Sequence, residues 1–196
     1  MMSMGACLEV LAELVTDELA VVALGRTSDV WARLKPRDAN FYNVAMGSNL
    51  PLAVGLAYAL PHRTVVLLDT DGCQLMTLGA LCTLGNLQPP NLRAFVLDNA
   101  SYAYIGGLPS ATAGRADLAA VARGAGVEQA TTASDLDEFG RLAREALAGD
   151  RLSYVVAKIA MEPGRAGRRG FDHVEAKYRF VRYVERSEGR QILPPD

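Results

Sequence analysis

Residues 64–107 read TVVLLDTDGCQLMTLGALCTLGNLQPPNLRAFVLDNASYAYIGG, and this stretch decides the fold. Thr64–Leu68 is a β-branched and Leu run of the kind found in strands buried on both faces. Leu75–Leu87 predicts a helix, and Leu92–Leu97 a second buried strand. A strand, a helix and a strand in that order form a βαβ unit, so the two strands are expected parallel and adjacent. Asp71 and Gly72 follow the first strand directly, and Asn99 follows the second. Both sets then fall at the carboxyl edge of one sheet, where open α/β sheets bind ligands.

The residue types at that edge suggest a chemistry. A carboxylate from Asp71 and an amide oxygen from Asn99 are hard donors that suit Mg²⁺ or Ca²⁺ and suit zinc poorly. Magnesium usually takes few protein ligands and completes its octahedron with phosphate oxygens and water. Gly72 lets the backbone approach a phosphate closely, and the amino terminus of the next helix offers unpaired N–H groups. The pattern therefore fits a metal-bridged diphosphate. Taken on spacing alone, Asp-Gly and Asp-Asn after strands also fit two ordinary turns.

Outward from this unit, strands and helices alternate. Ala6–Thr16 is apolar at helical spacing, and Leu19–Leu24 is a short strand ending at Gly25. Arg26–Tyr42 reads as polar and loop-like, although Val30, Trp31 and Leu34 could share one helical face. Pro51 suits the first turn of a helix over Leu50–Leu60. Asp117–Arg123 predicts a short helix. A longer one begins at Ser134, with Asp137 in capping-box relation and Leu136, Phe139, Leu142, Ala143 and Ala146 on its apolar face. Leu152–Ile159 closes the series as a strand. The fold class is α/β, a three-layer α/β/α arrangement with a mainly parallel sheet.

Composition changes after residue 160. The domain reading is one unit over 1–160 and a second segment over 161–196, made of a linker, an amphipathic helix and a tail. Glu162–Gly170 is rich in Gly and Arg. Phe171–Glu188 looks helical, with Asp172 as N-cap, Glu175 three residues on, and Phe171, Val174, Tyr178 and Val181 at helical spacing. Residues 161–190 hold eight Lys/Arg and five Asp/Glu, a net of +3 against −5 for the remainder. Such a helix packs either on its own domain or on another subunit.

The 196 residues are half apolar and carry a net charge of −2. That excludes wholesale disorder and makes general nucleic-acid binding a poor fit. Three unclustered cysteines describe neither a disulfide framework nor a zinc site. The uncharged stretches 39–61 and 72–92 are broken by Gly, Pro, Asn or Gln, so neither reads as a membrane span. The first residues lack the charged and apolar regions of a signal peptide. A reduced cytoplasmic protein is expected.

The central segment resembles the thiamine-diphosphate-binding motif, in which Gly-Asp-Gly is followed some 25 residues later by Asn-Asn. Here Thr70-Asp71-Gly72 and Asp98-Asn99 stand 25 residues apart. The likeness covers about residues 6–160 and is to the diphosphate-binding half of sulfopyruvate and phosphonopyruvate decarboxylases. It also rests on Phe41–Gly47 with Ala53–Ala57, on Asp98–Tyr102 with Gly106-Gly107, and on Asp117–Ala119 leading to Gly126.

The resemblance implies thiamine diphosphate and Mg²⁺ as cofactors. Asp71, the Asn99 side chain and the Ser101 carbonyl would ligate the metal. The N–H groups of Gly72 and Cys73, with Thr27 as a weaker candidate, would meet the diphosphate. Met46 would be the apolar wedge under the bent cofactor, and the Met46 N–H with the Val44 carbonyl would face the aminopyrimidine. Ala45 and Tyr102 belong to the same binding set. Taken without the family, Met46 is equally a core methionine, and Cys73 a small buried residue whose backbone alone matters. Thr70 and Asp98 replace the first Gly and first Asn of the motif, neither of them a metal ligand in the family. Val44 stands where Gly is frequent.

The Glu that activates the cofactor in this family comes from a pyrimidine-binding domain, usually on another chain. No Glu of this chain stands in a position to do so, and no catalytic residue is assigned in it. His62 lies in a Pro-His-Arg turn and His173 at the start of the last helix. The expected partner is a pyrimidine-binding subunit in a heterodimer or heterotetramer, acting on a small 2-oxo acid. Arg26, Arg93 and Arg115 are candidate contacts for an anion. The alternative is a non-catalytic scaffold of the same fold that has lost the cofactor. A nucleotide-binding reading of Gly124-Ala125-Gly126 lacks its third Gly.

Overall fold

A computed structural model describes residues 1–162 and 172–194. Six parallel strands form one sheet in the order β2-β1-β3-β4-β8-β7. They are β1 (Leu19–Ala23), β2 (Asn40–Val44), β3 (Val65–Thr70), β4 (Leu92–Asp98), β7 (Ala130–Ala133) and β8 (Ser153–Lys158). A two-stranded antiparallel ribbon, β5 (Ser101–Tyr102) with β6 (Leu108–Pro109), sits beyond the end of β4.

Alternation along the strands builds two cores. Val65 and Leu67 face one side, with Leu50 and Ala53 of α3 (Asn49–Ala59), Leu81 and Leu84 of α5 (Ala80–Leu87), and Leu118 and Ala122 of α6 (Leu118–Gly124). Val66 and Leu68 face the other, with Leu8 and Leu11 of α1 (Met4–Leu14), Trp31 of α2 (Arg26–Leu34), and Phe139 and Ala143 of α7 (Leu136–Ala148). A strand places successive side chains on opposite faces, so each core draws every second residue. The three-layer α/β/α architecture is as expected.

Three local readings are corrected and one strand is added. Arg26–Tyr42, read as loop-like, contains α2 and most of β2. The strand β2 lies at a sheet edge and alternates buried with half-buried residues, so it lacks the continuous apolar run of β3 and β4. The opposite edge strand, β7, has the weak sequence Ala-Thr-Thr-Ala and was not anticipated. The helix expected over 75–87 is two, α4 (Asp71–Leu75) and α5, separated by a turn that ends at Gly79. The cap of α7 is Asp135 rather than Ser134. Asp135 accepts from the Glu138 N–H at 2.9 Å, and Glu138 accepts from the Ser134 N–H at 2.9 Å.

The last helix, α8 (His173–Glu188), is capped by Asp172 as expected and packs on its own domain. Phe180 and Val184 join the first core, and Phe180 meets Phe41 of β2 edge-on at 5.2 Å. Arg179 pairs with Asp38, and Glu188 holds both His62 and Arg63. Of the two readings of this helix, the described contacts therefore support packing on its own chain. The expected linker over 163–170, Phe171, and the His173 side chain lie outside the described residues. Gly126, at φ +99°, approaches Gly85 closely, and a Cβ on Gly85 would sit 1.9 Å from the Ala125 carbonyl oxygen. The late glycines thus serve the packing of α6 on α5.

The chain order fixes where a ligand can enter. From β1 the chain crosses by α2 on one face to β2. From β2 it crosses by α3 on the other face to β3, on the far side of β1. The connections diverge between β1 and β3, and such a switch point leaves a crevice at the carboxyl ends of the strands.

Candidate cofactor site

The crevice is present and is lined from five strand ends. Leu24, Arg26 and Thr27 follow β1, Met46 follows β2, and Asp71, Gly72 and Cys73 follow β3. Asn99, Ser101, Tyr102 and Tyr104 follow β4, and Ile159, Ala160 and Glu162 follow β8. Nearly all the binding residues expected from sequence therefore meet in one cavity. Val44 and Ala45 are the exceptions, because neither lines it. The Val44 carbonyl accepts from the Leu24 N–H at 3.1 Å, as part of the β1–β2 ladder, and the Ala45 carbonyl accepts from the Ser48 N–H at 3.0 Å.

Asp71 is 1% exposed, and burial raises its pKa from the ordinary carboxylate value. The hydroxyl of Ser110 donates to its Oδ2 at 2.6 Å and opposes the rise, while the charge of Asp98 adds to it. The N–H groups of Gly72 and Asn99 also donate toward this carboxylate. A buried carboxylate beside a second one is held at a cost that a divalent cation would remove.

Asp98 is not arranged as a ligand. Its Oδ1 accepts from the Ala100 N–H at 3.0 Å and from the Thr112 hydroxyl at 2.7 Å, and its Oδ2 pairs with Lys158 at the end of β8. Asp98 thus braces the turn that presents Asn99, and Lys158 offsets the charge it carries. Asn99 folds its Oδ1 onto the Ser101 N–H at 3.0 Å, the usual local turn of an Asn.

Sequence reasoning missed Ser110, Thr112 and Lys158. Ser110 and Thr112 share a 2.9 Å hydrogen bond and link Asp71 to Asp98. The ribbon β5–β6 returns the chain to this point, since the Ser110 N–H donates to the Ala100 carbonyl at 3.0 Å. A Ser and a Thr two apart after a Gly-rich hairpin were the available signal.

Thr70 tolerates its Cβ because its backbone is extended, at φ −131° and ψ 161°. Its hydroxyl caps α4 by accepting from the Cys73 N–H at 3.4 Å, a long contact. Gly72 is needed for a different reason. A Cβ there would stand 2.9 Å from the Tyr102 ring and 3.5 Å from the Met46 methyl. The Tyr102 ring and the Met46 methyl therefore both close over the position a Gly72 side chain would fill. Burial pushes the Cys73 thiol up to about 12, so it is inert at neutral pH. Asp69, just upstream, is fully enclosed by Asn49, Gln74 and the Thr70 N–H, and burial raises it to about 6.

Two of the candidate arginines lie away from the cavity. Arg93 is at the opposite edge of the sheet and is 3% exposed. Its guanidinium donates to the carbonyls of Pro90, Leu92, Arg151 and Gly149. Arg115 is exposed and does not line the cavity. Among the described residues, no group of three or more His, Cys, Asp or Glu side chains could hold a metal. A single carboxylate joined by amide and carbonyl oxygens lies outside that pattern and still suits a hard cation.

The C-terminal TPP binding domain of the thiamine pyrophosphate enzymes matches residues 25–157, which contain the cavity residues from Arg26 to Ile105. The chain belongs to this family. It is 31% identical over 171 residues to the sulfopyruvate decarboxylase subunit beta of Methanocaldococcus jannaschii, covering 87% of this chain and 90% of that one. It is 37% identical over 178 residues to the phosphonopyruvate decarboxylase of Streptomyces viridochromogenes, covering 89% of this chain but 44% of that longer one. Among solved structures, benzoylformate decarboxylase from Polynucleobacter necessarius superposes with a TM-score of 0.70 at 22% identity, over 82% of this chain and 34% of that one. That likeness bears on the fold. The family's relatives thus include both separate beta subunits and chains more than twice as long. Among the described residues no helix is long and apolar enough to cross a membrane.

Proposed function

We propose that this chain is the diphosphate- and Mg²⁺-binding subunit of a heteromeric, cytoplasmic thiamine-diphosphate-dependent decarboxylase acting on a small 2-oxo acid of the sulfopyruvate or phosphonopyruvate type. One observation carries the reading. Asp71, Asn99 and Ser101, all oxygen donors, line the same crevice as Met46 and Gly72, at the switch point of a fold whose relatives are such decarboxylases.

When bound, the cofactor supplies an electron sink for loss of carbon dioxide from the 2-oxo acid. The protein's own part is to hold and orient. Asp71, the Asn99 amide oxygen and the Ser101 carbonyl would hold the metal, with Ser110 fixing the Asp71 rotamer. The N–H groups at the start of α4 would meet the diphosphate, Gly72 allowing the close approach. Met46 and Tyr102 would pack beside the bound cofactor above that backbone. The activating carboxylate is assigned to the pyrimidine-binding partner, because among the described residues no Glu other than Glu162 lines the cavity, and Glu162 is paired to Arg26.

Co-expression with a candidate pyrimidine-binding subunit, followed by calorimetric titration with thiamine diphosphate and Mg²⁺, tests the reading. Saturable binding that a chelator abolishes is expected, with decarboxylation only by the pair. Decarboxylation at full rate by this chain alone would overturn the split site. Failure of the pair to bind the cofactor would favour a scaffold.

A further inference from the structure

The cavity contains one cation paired with one anion of the chain itself. Arg26 is the first residue of α2, and its guanidinium Nη2 makes an ion pair with the Glu162 carboxylate, 136 residues later, at the far wall of the crevice. The pair is half-buried, with side chains 28% and 26% exposed. Even so, the Arg26 Nε is fully enclosed and has no hydrogen-bond partner, a condition it shares with the Nε atoms of Arg37 and Arg93, but of the three only Arg26 lines the crevice. A guanidinium carries five donors in a planar fork, and a carboxylate engaging one nitrogen leaves that fork poorly matched. Leaving a buried donor unmade is costly, so the arrangement suits a larger anion with more acceptor oxygens.

The surroundings support that reading. The residue before α2 is Gly25, at φ +77°, and no side chain caps this helix amino terminus. Thr27, on the same turn, is 1% exposed and lines the cavity. The Tyr104 ring lies over Gly25, 3.1 Å from where a Cβ would stand. A guanidinium and an uncapped helix amino terminus together favour negative charge.

We infer that Arg26 is a binding residue for the terminal phosphate of the diphosphate, and that Glu162 is its internal competitor, a carboxylate that occupies the anion position until the phosphate displaces it. This rests on the proposed cofactor site and adds two residues with opposite signs to it. Arg26 contributes to affinity, and Glu162 reduces it. A purely structural ion pair would give both substitutions the same sign.

The test is calorimetric titration of the two-subunit complex with thiamine diphosphate, thiamine monophosphate and inorganic diphosphate, each with Mg²⁺. Arg26→Gln should weaken thiamine diphosphate by about tenfold or more, the range of a charge-assisted contact, and should weaken the monophosphate much less. Glu162→Gln should tighten thiamine diphosphate by up to about fivefold, the worth of a half-exposed ion pair. The double variant should bind like Arg26→Gln alone. Melting curves and circular dichroism of the unliganded variants identify any that fail to fold, and Arg26→Lys, which keeps the charge, then replaces Arg26→Gln with a smaller loss expected. The inference is overturned if Glu162→Gln weakens binding, or if Arg26→Gln affects the diphosphate and the monophosphate equally. Absence of binding by the wild-type complex would instead remove the cofactor reading itself.

Discussion

The two ends of the sheet bury similar polar groups for opposite purposes. At the amino edge, Asn91 donates to the carbonyls of Ala57, Leu60 and Arg63, and Arg93 donates to four more. Those donors close loops, and backbone oxygens take up both terminal nitrogens of Arg93, although its Nε has no partner. At the carboxyl edge, Asp71 and Asp98 lie close enough for the charge of one to raise the pKa of the other, and Arg26 keeps a buried nitrogen without a partner. Each edge leaves an arginine Nε unmade, so the difference lies in the two carboxylates: like charges crowded in a buried site cost stability, and that end is the one built for something else. One edge stabilises the protein, and the other gives up stability to a ligand.

Substitutions at the two ends should separate cleanly. Asp71→Ala is expected to weaken Mg²⁺-dependent cofactor binding by upward of about a hundredfold, beyond what removal of an outer partner costs. Because burial already disfavours its charge, the cofactor-free protein should melt within a few degrees of wild type. Arg93→Ala is the converse. It leaves several buried carbonyls unpaired and should cost about 2–3 kcal/mol of unfolding free energy in urea melts. Calorimetry of the surviving folded fraction should show wild-type cofactor affinity. If Asp71→Ala unfolds the protein, or Arg93→Ala changes affinity, the division between the edges fails.

Ser110→Ala tests how far the binding edge extends. The hydroxyl touches Asp71 and Thr112 and does not line the crevice, so it acts by positioning. Its loss should cost about tenfold in Mg²⁺ affinity, at the low end for an outer partner, and Ser110→Thr should restore most of it. A purely structural role would lower the melting temperature without moving the metal titration.

The legible parts of the molecule are the local ones. The strands β1, β3, β4 and β8 are buried on both faces, so their sequences are continuous apolar runs, and Asp71, Gly72 and Asn99 follow two of them directly. The edge strands β2 and β7 are half-solvated and short, and their residues look like loop. The support of the site is long-range. Ser110 reaches Asp71 across 39 residues, Lys158 reaches Asp98 across 60, and Glu162 reaches Arg26 across 136. Those meetings follow from strand order and hairpin register, which no window of periodicity contains. Val44 lies off the crevice for a related reason, its carbonyl taken up by the Leu24 N–H. A motif names the residues of a loop without saying which carbonyl the neighbouring strand will take.

Cys73 gives the smallest effect and the sharpest limit on the comparison. It lies at the binding edge and lines the crevice, yet its thiol is pushed up to about 12 by burial and by the nearby Asp69 charge. A thiol held that high is protonated at neutral pH and has no nucleophilic character. Only its backbone N–H points to a role, and that group survives any substitution except Pro. Cys73→Ser should therefore change cofactor affinity by less than about twofold, within the variation of a buried near-isosteric replacement. In the wild-type chain, iodoacetamide at neutral pH should modify the exposed Cys82 and leave Cys73 and the equally raised Cys7 intact, as read by peptide mass. Rapid alkylation of Cys73 would mean that the carboxyl edge opens further than the packing of Met46 and Tyr102 on Gly72 allows.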